Sequence, residues 1–289
     1  MSLPQDIFPF EKVESSIAPD RSQVIQWTLQ RKFRTPNNIV GFHVEFSRGG
    51  EWTRITTVLI DSCLFVDTDS YRCAFRNDVY YRVVAVDTED KEYISKPVNI
   101  FHIWETKHQY LIARDIIRQE YVRLTKLPVG TYGTLLKQRQ HGTPCPICLD
   151  YDTEEVVASC CQTCYGTGFV GGYYSGKPFY MDLTVTGSKE TKTAETGVVN
   201  SKNRSARAVA FPLVAEDDIW VASRSNKRYT VISWNNAAES LTIPLILKVD
   251  LTELPERHRA YEVPLVAPDL PVNDTSGTFL SGITRKAVW

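Results

Sequence analysis

Long apolar runs and a pronounced net charge are both missing from this sequence of 289 residues. Its 33 Lys and Arg residues nearly balance 34 Asp and Glu residues, so charge gives no support for broad binding to nucleic acid or to an anionic membrane. The longest apolar runs, such as residues 243–247, fall far short of the roughly 20 residues that span a bilayer. The first residues also lack the basic and apolar regions of a signal peptide. We therefore expect synthesis in the cytoplasm without export, and neither a membrane nor specific nucleic acid as a partner.

Recognised catalytic motifs are missing as well. The 5 histidines are scattered, and the sequence contains no His-Glu-x-x-His, Gly-x-Ser-x-Gly or Walker loop. Acidic clusters such as residues 153–155 and 216–218 have the pattern of loop charges. We expect no catalytic and no organic-cofactor residues, so the chain is predicted not to be an enzyme. A hydrolase with an unrecognised site is kept as an alternative.

Cysteine is concentrated in one place, because 5 of the 7 cysteines fall within residues 145–164. Two Cys-x-x-Cys pairs, Cys145 with Cys148 and Cys161 with Cys164, are separated by 12 residues. Each pair places two sulfurs close together at a turn, and four thiolates can surround one tetrahedral Zn²⁺. We predict these four residues as the metal ligands. Cys160 is predicted to be a bystander, because its use would lengthen the spacing to Cys164.

The composition of the ligand set favours a structural zinc ion. A catalytic zinc keeps an open position and usually has mixed ligands, whereas four cysteines saturate the metal and leave no place for an activated water. His141 could substitute for one thiol, but four thiols suffice. Gly166, Thr167 and Gly168 are expected to let the backbone donate N–H groups to the sulfurs and to turn sharply afterwards. The basic run before the first pair, residues 137–141, is predicted to be a solvated charged strand.

Residues 22–101 have the pattern of an antiparallel β-sandwich. Short alternating runs, for example residues 42–46, are separated by turn signals every 8–12 residues. Trp27, residues 81–87 and residues 95–97 resemble a fibronectin type III domain. The resemblance implies that Trp27 and Tyr81 lie in the core between the sheets, and that the module presents a surface for adhesion or assembly.

A long helix is predicted over residues 105–127, within a linking segment of residues 102–140. Its apolar residues recur at spacings of three, four and seven, and Pro128 and Gly130 end it. Two roles stay open: packing against the neighbouring domain, or contact with another subunit. The residues of the apolar face are Tyr110, Leu111, Ile117, Tyr121 and Leu124.

The remaining segments are predicted from composition and short alternating runs. Residues 141–175 form the cysteine knuckle, and residues 176–254 a β-barrel-like domain with a polar exposed loop at residues 186–207. Residues 1–21 and 255–289, rich in proline, are predicted to be extended arms that dock on other subunits. The fold class is therefore mainly β, with a fibronectin III-like sandwich, one long helix, a four-cysteine zinc knuckle and a C-terminal β-barrel-like domain.

Two further resemblances concern function. Residues 161–168 resemble one zinc-binding repeat of the DnaJ chaperones, but residues 145–150 lack the Gly-x-Gly of that repeat, so co-chaperone activity is not carried over. Residues 141–174, with their run Gly-Thr-Gly-Phe-Val-Gly-Gly-Tyr-Tyr, resemble a class of tailed-bacteriophage virion proteins. Residues from about 217 to 251 are similar to the small β-barrels of phage head-closure and head–tail joining proteins.

These resemblances imply a structural protein of the virion, made in the host cytoplasm and most specifically a head–tail connector in the neck. Its expected partners are its own copies in a ring and the neighbouring virion proteins on the portal or adaptor side and on the tail side. A tail or baseplate protein is the first alternative. A zinc-ribbon protein that binds nucleic acid is the second.

Overall fold

A computed structural model describes residues 9–20, 22–30, 39–69, 78–99, 104, 106–150, 156–157, 161–183, 189–194 and 197–265. Over these residues the protein is mainly β, with three antiparallel sheets and a single α-helix, which confirms the predicted fold class. None of the helices in these ranges has the length and apolarity to cross a membrane.

Seven N-terminal strands form two antiparallel sheets: β1 (Phe10–Ile17), β2 (Gln23–Leu29), β3 (Ile39–Arg48), β4 (Trp52–Arg54), β5 (Leu64–Asp67), β6 (Val79–Asp87) and β7 (Glu92–Ile94). One sheet has the order β1-β2-β5 and the other the order β4-β3-β6-β7. Trp27 of the first sheet and Phe42 and Tyr81 of the second share one buried core, and the Trp27 and Phe42 rings meet edge to face at 5.0 Å. The alternation in the sequence therefore produces two sheets that pack face to face.

The predicted N-terminal arm, residues 1–21, differs from the structure. Residues 10–17 are strand β1, which pairs with β2 from Phe10 opposite Leu29 to Ile17 opposite Gln23. Phe10 and Ile17 are buried, so the segment contributes to the core of its own chain. The prediction of an arm was based on the prolines of this segment. Two of them, at positions 9 and 19, lie just outside the ends of the strand, where proline is tolerated.

The helix α1 (Lys107–Lys126) lies within the predicted range. Thr106 caps it, since its hydroxyl accepts from the Gln109 N–H at 3.3 Å while the Gln109 side chain accepts from the Thr106 N–H. Its buried stripe includes Tyr110, Ile117 and Leu124, and packs in one cluster with Leu245 and other residues of the C-terminal sheet. Of the two predicted roles, the structure supports packing within the chain.

Seven strands form the C-terminal sheet: β8 (Thr131–Leu136), β9 (Lys177–Met181), β10 (Lys189–Ala194), β11 (Gly197–Val209), β12 (Ile219–Ala222), β13 (Arg228–Ser240) and β14 (Ile243–Glu253). Their order is β10-β11-β14-β13-β12-β8-β9. The sheet curls around a core that contains Trp220, whose indole N–H donates to the Phe179 carbonyl at 3.2 Å. After β9, Asp182 pairs with Arg207 of β11 through a single bridge. Over the described strands the sheet is therefore barrel-like in curvature but is not a closed barrel.

The predicted exposed loop, residues 186–207, is wrong over most of its length. Residues 189–194 and 197–202 pair as an antiparallel hairpin, and β11 continues along β14 from Asn203 opposite Thr252. The hairpin is joined by backbone hydrogen bonds, which any residue type can make. A tract of Ser, Thr, Lys and Gly therefore forms strands without the apolar alternation that would reveal them.

The first residues of the predicted C-terminal arm, residues 255–289, also differ from the expectation. Residues 259–262 form a 3₁₀ turn, and Ala260 and Val263 are buried against β8 and β12. Arg228 of β13 donates hydrogen bonds to the carbonyls of Ala260 and Val263, which fixes this segment on its own sheet. Residues 266–289 lie outside the described part of the chain.

A buried carboxylate ties the helix to the sheet. Glu120 of α1 accepts hydrogen bonds from Arg123 at 2.7 Å and from Arg207 of β11 at 2.9 Å, and Arg123 also donates to Asp182. Burial acts to raise the pKa of Glu120, but the hydrogen bonds from the two guanidinium groups outweigh it and lower that pKa. The carboxylate therefore remains charged inside the fold because both arginines are present.

Replacing Glu120 with Gln is expected to lower the free energy of unfolding by about 1–3 kcal/mol, measured by urea denaturation. The estimate is kept small because Arg123 and Arg207 are 31% and 42% exposed and solvent screens them. The matched control is Asp115→Asn, an exposed carboxylate on the same helix, which should change stability by less than about 0.5 kcal/mol.

Because the folded pKa of Glu120 is lowered, its contribution is present above the unfolded pKa of about 4.3 and is lost as pH falls through the folded pKa. Equal losses in both variants, or a difference that widens in acid, would contradict this assignment.

Candidate metal centre

An extension of the β8–β9 hairpin carries the two cysteine turns. Beyond β8 and before β9, the two chain segments continue to pair across the hairpin until they reach the first Cys-x-x-Cys turn. This ladder of hydrogen bonds holds the first cysteine turn against the chain segment that follows the second cysteine turn. Its bonds run from the N–H of Tyr174 to the Lys137 carbonyl, Arg139 to Gly172, Val170 to Thr143 and Cys145 to Gly168.

The four predicted ligands come together at the tip of this hairpin. The Sγ atoms of Cys145, Cys148, Cys161 and Cys164 all lie within 4.8 Å of one another, and all four residues are buried. The Cys145–Cys161 sulfurs are 3.7 Å apart and the Cys148–Cys164 sulfurs 2.9 Å. A tetrahedral ion with metal–sulfur bonds of about 2.3 Å separates its sulfurs by about 3.8 Å, so these four residues can hold one metal ion.

The thiols have unequal acidities. Backbone N–H groups of Cys164 and Thr163 lower the pKa of Cys161 to about 6, which favours the thiolate form of this sulfur. Burial raises the pKa of Cys148 far above its usual range and also raises that of Cys164. Since thiolate is the form that binds metal, a bound cation would supply the charge that deprotonates the buried thiols.

The glycines after the second pair shape the turn as predicted, whereas Thr167 acts differently. The backbone N–H groups of Gly168 and Gly166 hydrogen bond to the Cys164 sulfur. Gly168 has φ +85°, and a Cβ there would lie 3.1 Å from Val156. Thr167 instead donates its hydroxyl to the Cys164 carbonyl at 2.8 Å. The turn is thus held both at the sulfur and at the carbonyl of Cys164.

The two other candidates near the site have different outcomes. Cys160 lies outside the described residues. His141 does not take the place of one of the four thiols, because its Nδ1 lies 2.5 Å from Tyr174 Oη and its Nε2 3.3 Å from Asp61. His141 and Lys137 are both buried, so the prediction of a solvated basic strand over residues 137–141 is wrong. Lys137 instead donates to the Leu213 carbonyl and to Asp218.

Sequence reasoning missed a second polar cluster, which joins the sandwich to the cysteine hairpin. Arg139 donates two hydrogen bonds to Asp61 at 2.9 and 2.7 Å, while Tyr174 Oη lies 3.3 Å from Cys63 Sγ. Hydrogen bonds from His141 and Arg139 hold the pKa of Asp61 well below its usual range, and burial raises the pKa of Tyr174 well above its usual range. The sequence feature that could have indicated this cluster is the pair of tyrosines at residues 173–174, which follows two glycines.

Comparison with known proteins gives no family. No family model matches the chain, and no curated protein matches it. A solved structure described as "Titin kinase and its flanking domains" is similar with a TM-score of 0.25 and 9% identity, over 85% of this chain and 37% of that chain. The chain thus spans little more than a third of that structure, and the similarity is too low to support any argument.

Metal content should separate the ligands from the bystander. Elemental analysis of protein never exposed to chelators is expected to find about one metal ion per chain, and Cys148→Ser should lose most of it. Amide hydrogen exchange across residues 141–175 should rise in the same variant, because the turns lose their common anchor. The matched control is Cys160→Ser, which should keep both metal and protection. Equal metal loss in the two variants would show that the ligand set is wrong.

Proposed function

We propose that this protein is a non-enzymatic structural component of a tailed-phage virion, with its place in the neck as a head–tail connector that assembles as a ring. The observation that carries the structural role is the closed set of four cysteines at the tip of the hairpin between the sandwich and the curled sheet. The virion and the neck come from the resemblance of residues 141–174 and 217–251 to phage proteins.

The ion in the cysteine site is proposed to be structural Zn²⁺. Four thiolates in tetrahedral arrangement favour zinc or iron–sulfur chemistry over hard cations such as Mg²⁺ and Ca²⁺. With four protein ligands, zinc has no open position for water or substrate, so its contribution is to hold the two turns together. A metal held in this way has a structural role.

The buried ionisable groups of the helix and the C-terminal sheet region support the same role. Lys137 and Asp218 form a buried pair at 3.1 Å, and Asp218 also accepts from the backbone N–H of Gln138 and of Ala215. Glu120 is likewise occupied by two arginines. Groups that are engaged in such bonds connect elements of the fold. A substrate or a proton could reach them only after those bonds break, which does not favour a catalytic role.

The β10–β11 hairpin supports contact between copies. β11 pairs with β14 only from Asn203 onwards, so residues 189–194 and 197–202 extend the sheet past the end of the β14 ladder. A two-stranded ribbon that reaches beyond the body of a domain can pair with or lie on an adjacent copy. We propose that this hairpin contacts the next subunit of the ring, while neighbouring virion proteins bind on the portal or adaptor side and on the tail side.

Virions of the phage that encodes this chain provide the test. Immunogold labelling of purified particles is expected to place the protein at the head–tail junction, and mass spectrometry to find it in a fixed ratio to the portal protein. Gold at the tail or baseplate would replace the neck with the first alternative. Absence from virions, together with DNA binding that weakens steeply with salt, would favour the zinc-ribbon alternative and overturn the proposal.

A further inference from the structure

Within the part of the chain that the structure describes, side-chain contacts join the sandwich to the other elements at two separate places. One, here called the latch, consists of Asp61 on the sandwich and Arg139, Gln140, His141 and Tyr174 on the cysteine hairpin. The Gln140 side chain accepts from the Leu29 N–H at 2.9 Å, and the Gln140 N–H donates to Tyr174 Oη at 3.1 Å. Arg139 and His141 both lie within 3.3 Å of Asp61.

The second place, here called the hinge, lies at the base of the cysteine hairpin, where Lys137 also donates to the Leu213 carbonyl. Gln26 of β2 makes a reciprocal pair with Leu213, since its amide N–H donates to the Leu213 carbonyl and its oxygen accepts from the Leu213 N–H, both at 3.2 Å. Ile17 at the end of β1 is buried in the same cluster as Tyr110 and Ile117 of α1. These contacts connect the sandwich to the helix and the loop after β11.

The latch is a closed hydrogen-bond network. Tyr174, 5% exposed, accepts from the Gln140 N–H and has Cys63 Sγ and His141 Nδ1 within bonding distance. If the tyrosine hydroxyl donates to His141 Nδ1, the proton on Nε2 faces Asp61 at 3.3 Å. Phe42 packs edge to face on the His141 ring at 4.7 Å. The network therefore needs residues 139–141 and Tyr174 to stand at fixed positions opposite the sandwich.

The cysteine centre determines those positions. The latch residues lie on the two paired segments that lead into and out of the cysteine turns, with Arg139 bonded through its N–H to the Gly172 carbonyl. Gly172 has φ +67°, and a Cβ on it would lie 2.7 Å from the Cys164 carbonyl, so the segment passes directly over a ligand residue. Release of the four sulfurs would free both segments from their common tip.

We infer that metal occupancy of the cysteine centre controls the docking of the N-terminal sandwich. With metal bound, the hairpin holds the latch closed; without metal, the latch opens while the hinge keeps the sandwich attached. The centre then controls the docking of the sandwich in addition to holding the two cysteine turns together. The inference rests on the geometry of this chain and holds whether or not the protein belongs to a virion.

Amide exchange measured by NMR on Zn²⁺-loaded and chelator-stripped protein tests the separation of latch and hinge. The Leu29 and Gln140 amides, whose acceptors belong to the latch, are expected to exchange at least about tenfold faster after stripping. The Leu213 amide, whose acceptor is Gln26, should change by less than about twofold and serves as the internal control. Unchanged exchange at Leu29 and Gln140 would overturn the inference, and so would equal acceleration at all three amides.

Reciprocity provides a second, independent test. If metal stabilises the closed latch, then a broken latch must weaken metal binding by the same factor. Tyr174→Phe and Asp61→Asn, the latter at a side chain 58% exposed, are each expected to lower Zn²⁺ affinity about tenfold in chelator competition. The matched control is Tyr173→Phe, because Tyr173 packs with Leu136 and Ile219 instead of the sandwich. Wild-type affinity in both latch variants, or an equal loss in the control, would overturn the coupling.

Discussion

Four buried sulfurs within 4.8 Å of one another are the constraint on which the middle of this protein depends. As thiols they make only weak hydrogen bonds, and as thiolates they repel one another in a site that excludes water. A cation resolves the conflict, because it favours the thiolates that burial disfavours and gives them a common partner. The two paired segments of the hairpin, which carry Arg139 and Tyr174, lead to that centre.

Elsewhere the fold is held by apolar cores joined through buried ion pairs. The sandwich and the curled sheet each enclose a cluster of aromatic and branched residues, and burial of that area is the main source of their stability. Polar ties add to the apolar contacts between elements: Glu120 joins the helix to β11, and Asp218 joins the segment after β8 to the loop before β12. Such ties add little net stability but strongly disfavour any arrangement that leaves a buried charge unpaired.

The parts of the molecule that were predictable are those encoded over a few residues. Cys-x-x-Cys spacing, the strand run of β3 and the apolar stripe of α1 are local patterns, and the structure has each element where the sequence places it. The latch was not predictable, because Arg139 and Asp61 are 78 residues apart and no periodicity marks a pair of that kind. The β10–β11 hairpin and β1 were missed for a related reason: their pairing uses backbone groups, which every sequence supplies.

The balance of energies shows what a bound metal would contribute to the latch. Each hydrogen bond in it contributes about 0.5–1.5 kcal/mol net, and those with Asp61 are weakened by its exposure to solvent. Fixing the backbone of one residue costs about 1–2 kcal/mol, and the paired segments 137–145 and 168–174 contain many residues. Polar contacts alone would therefore not order the hairpin. Ligation of four thiolates, at about 10 kcal/mol or more in small zinc motifs, is large enough to do so, and the latch then forms on a surface that is already ordered.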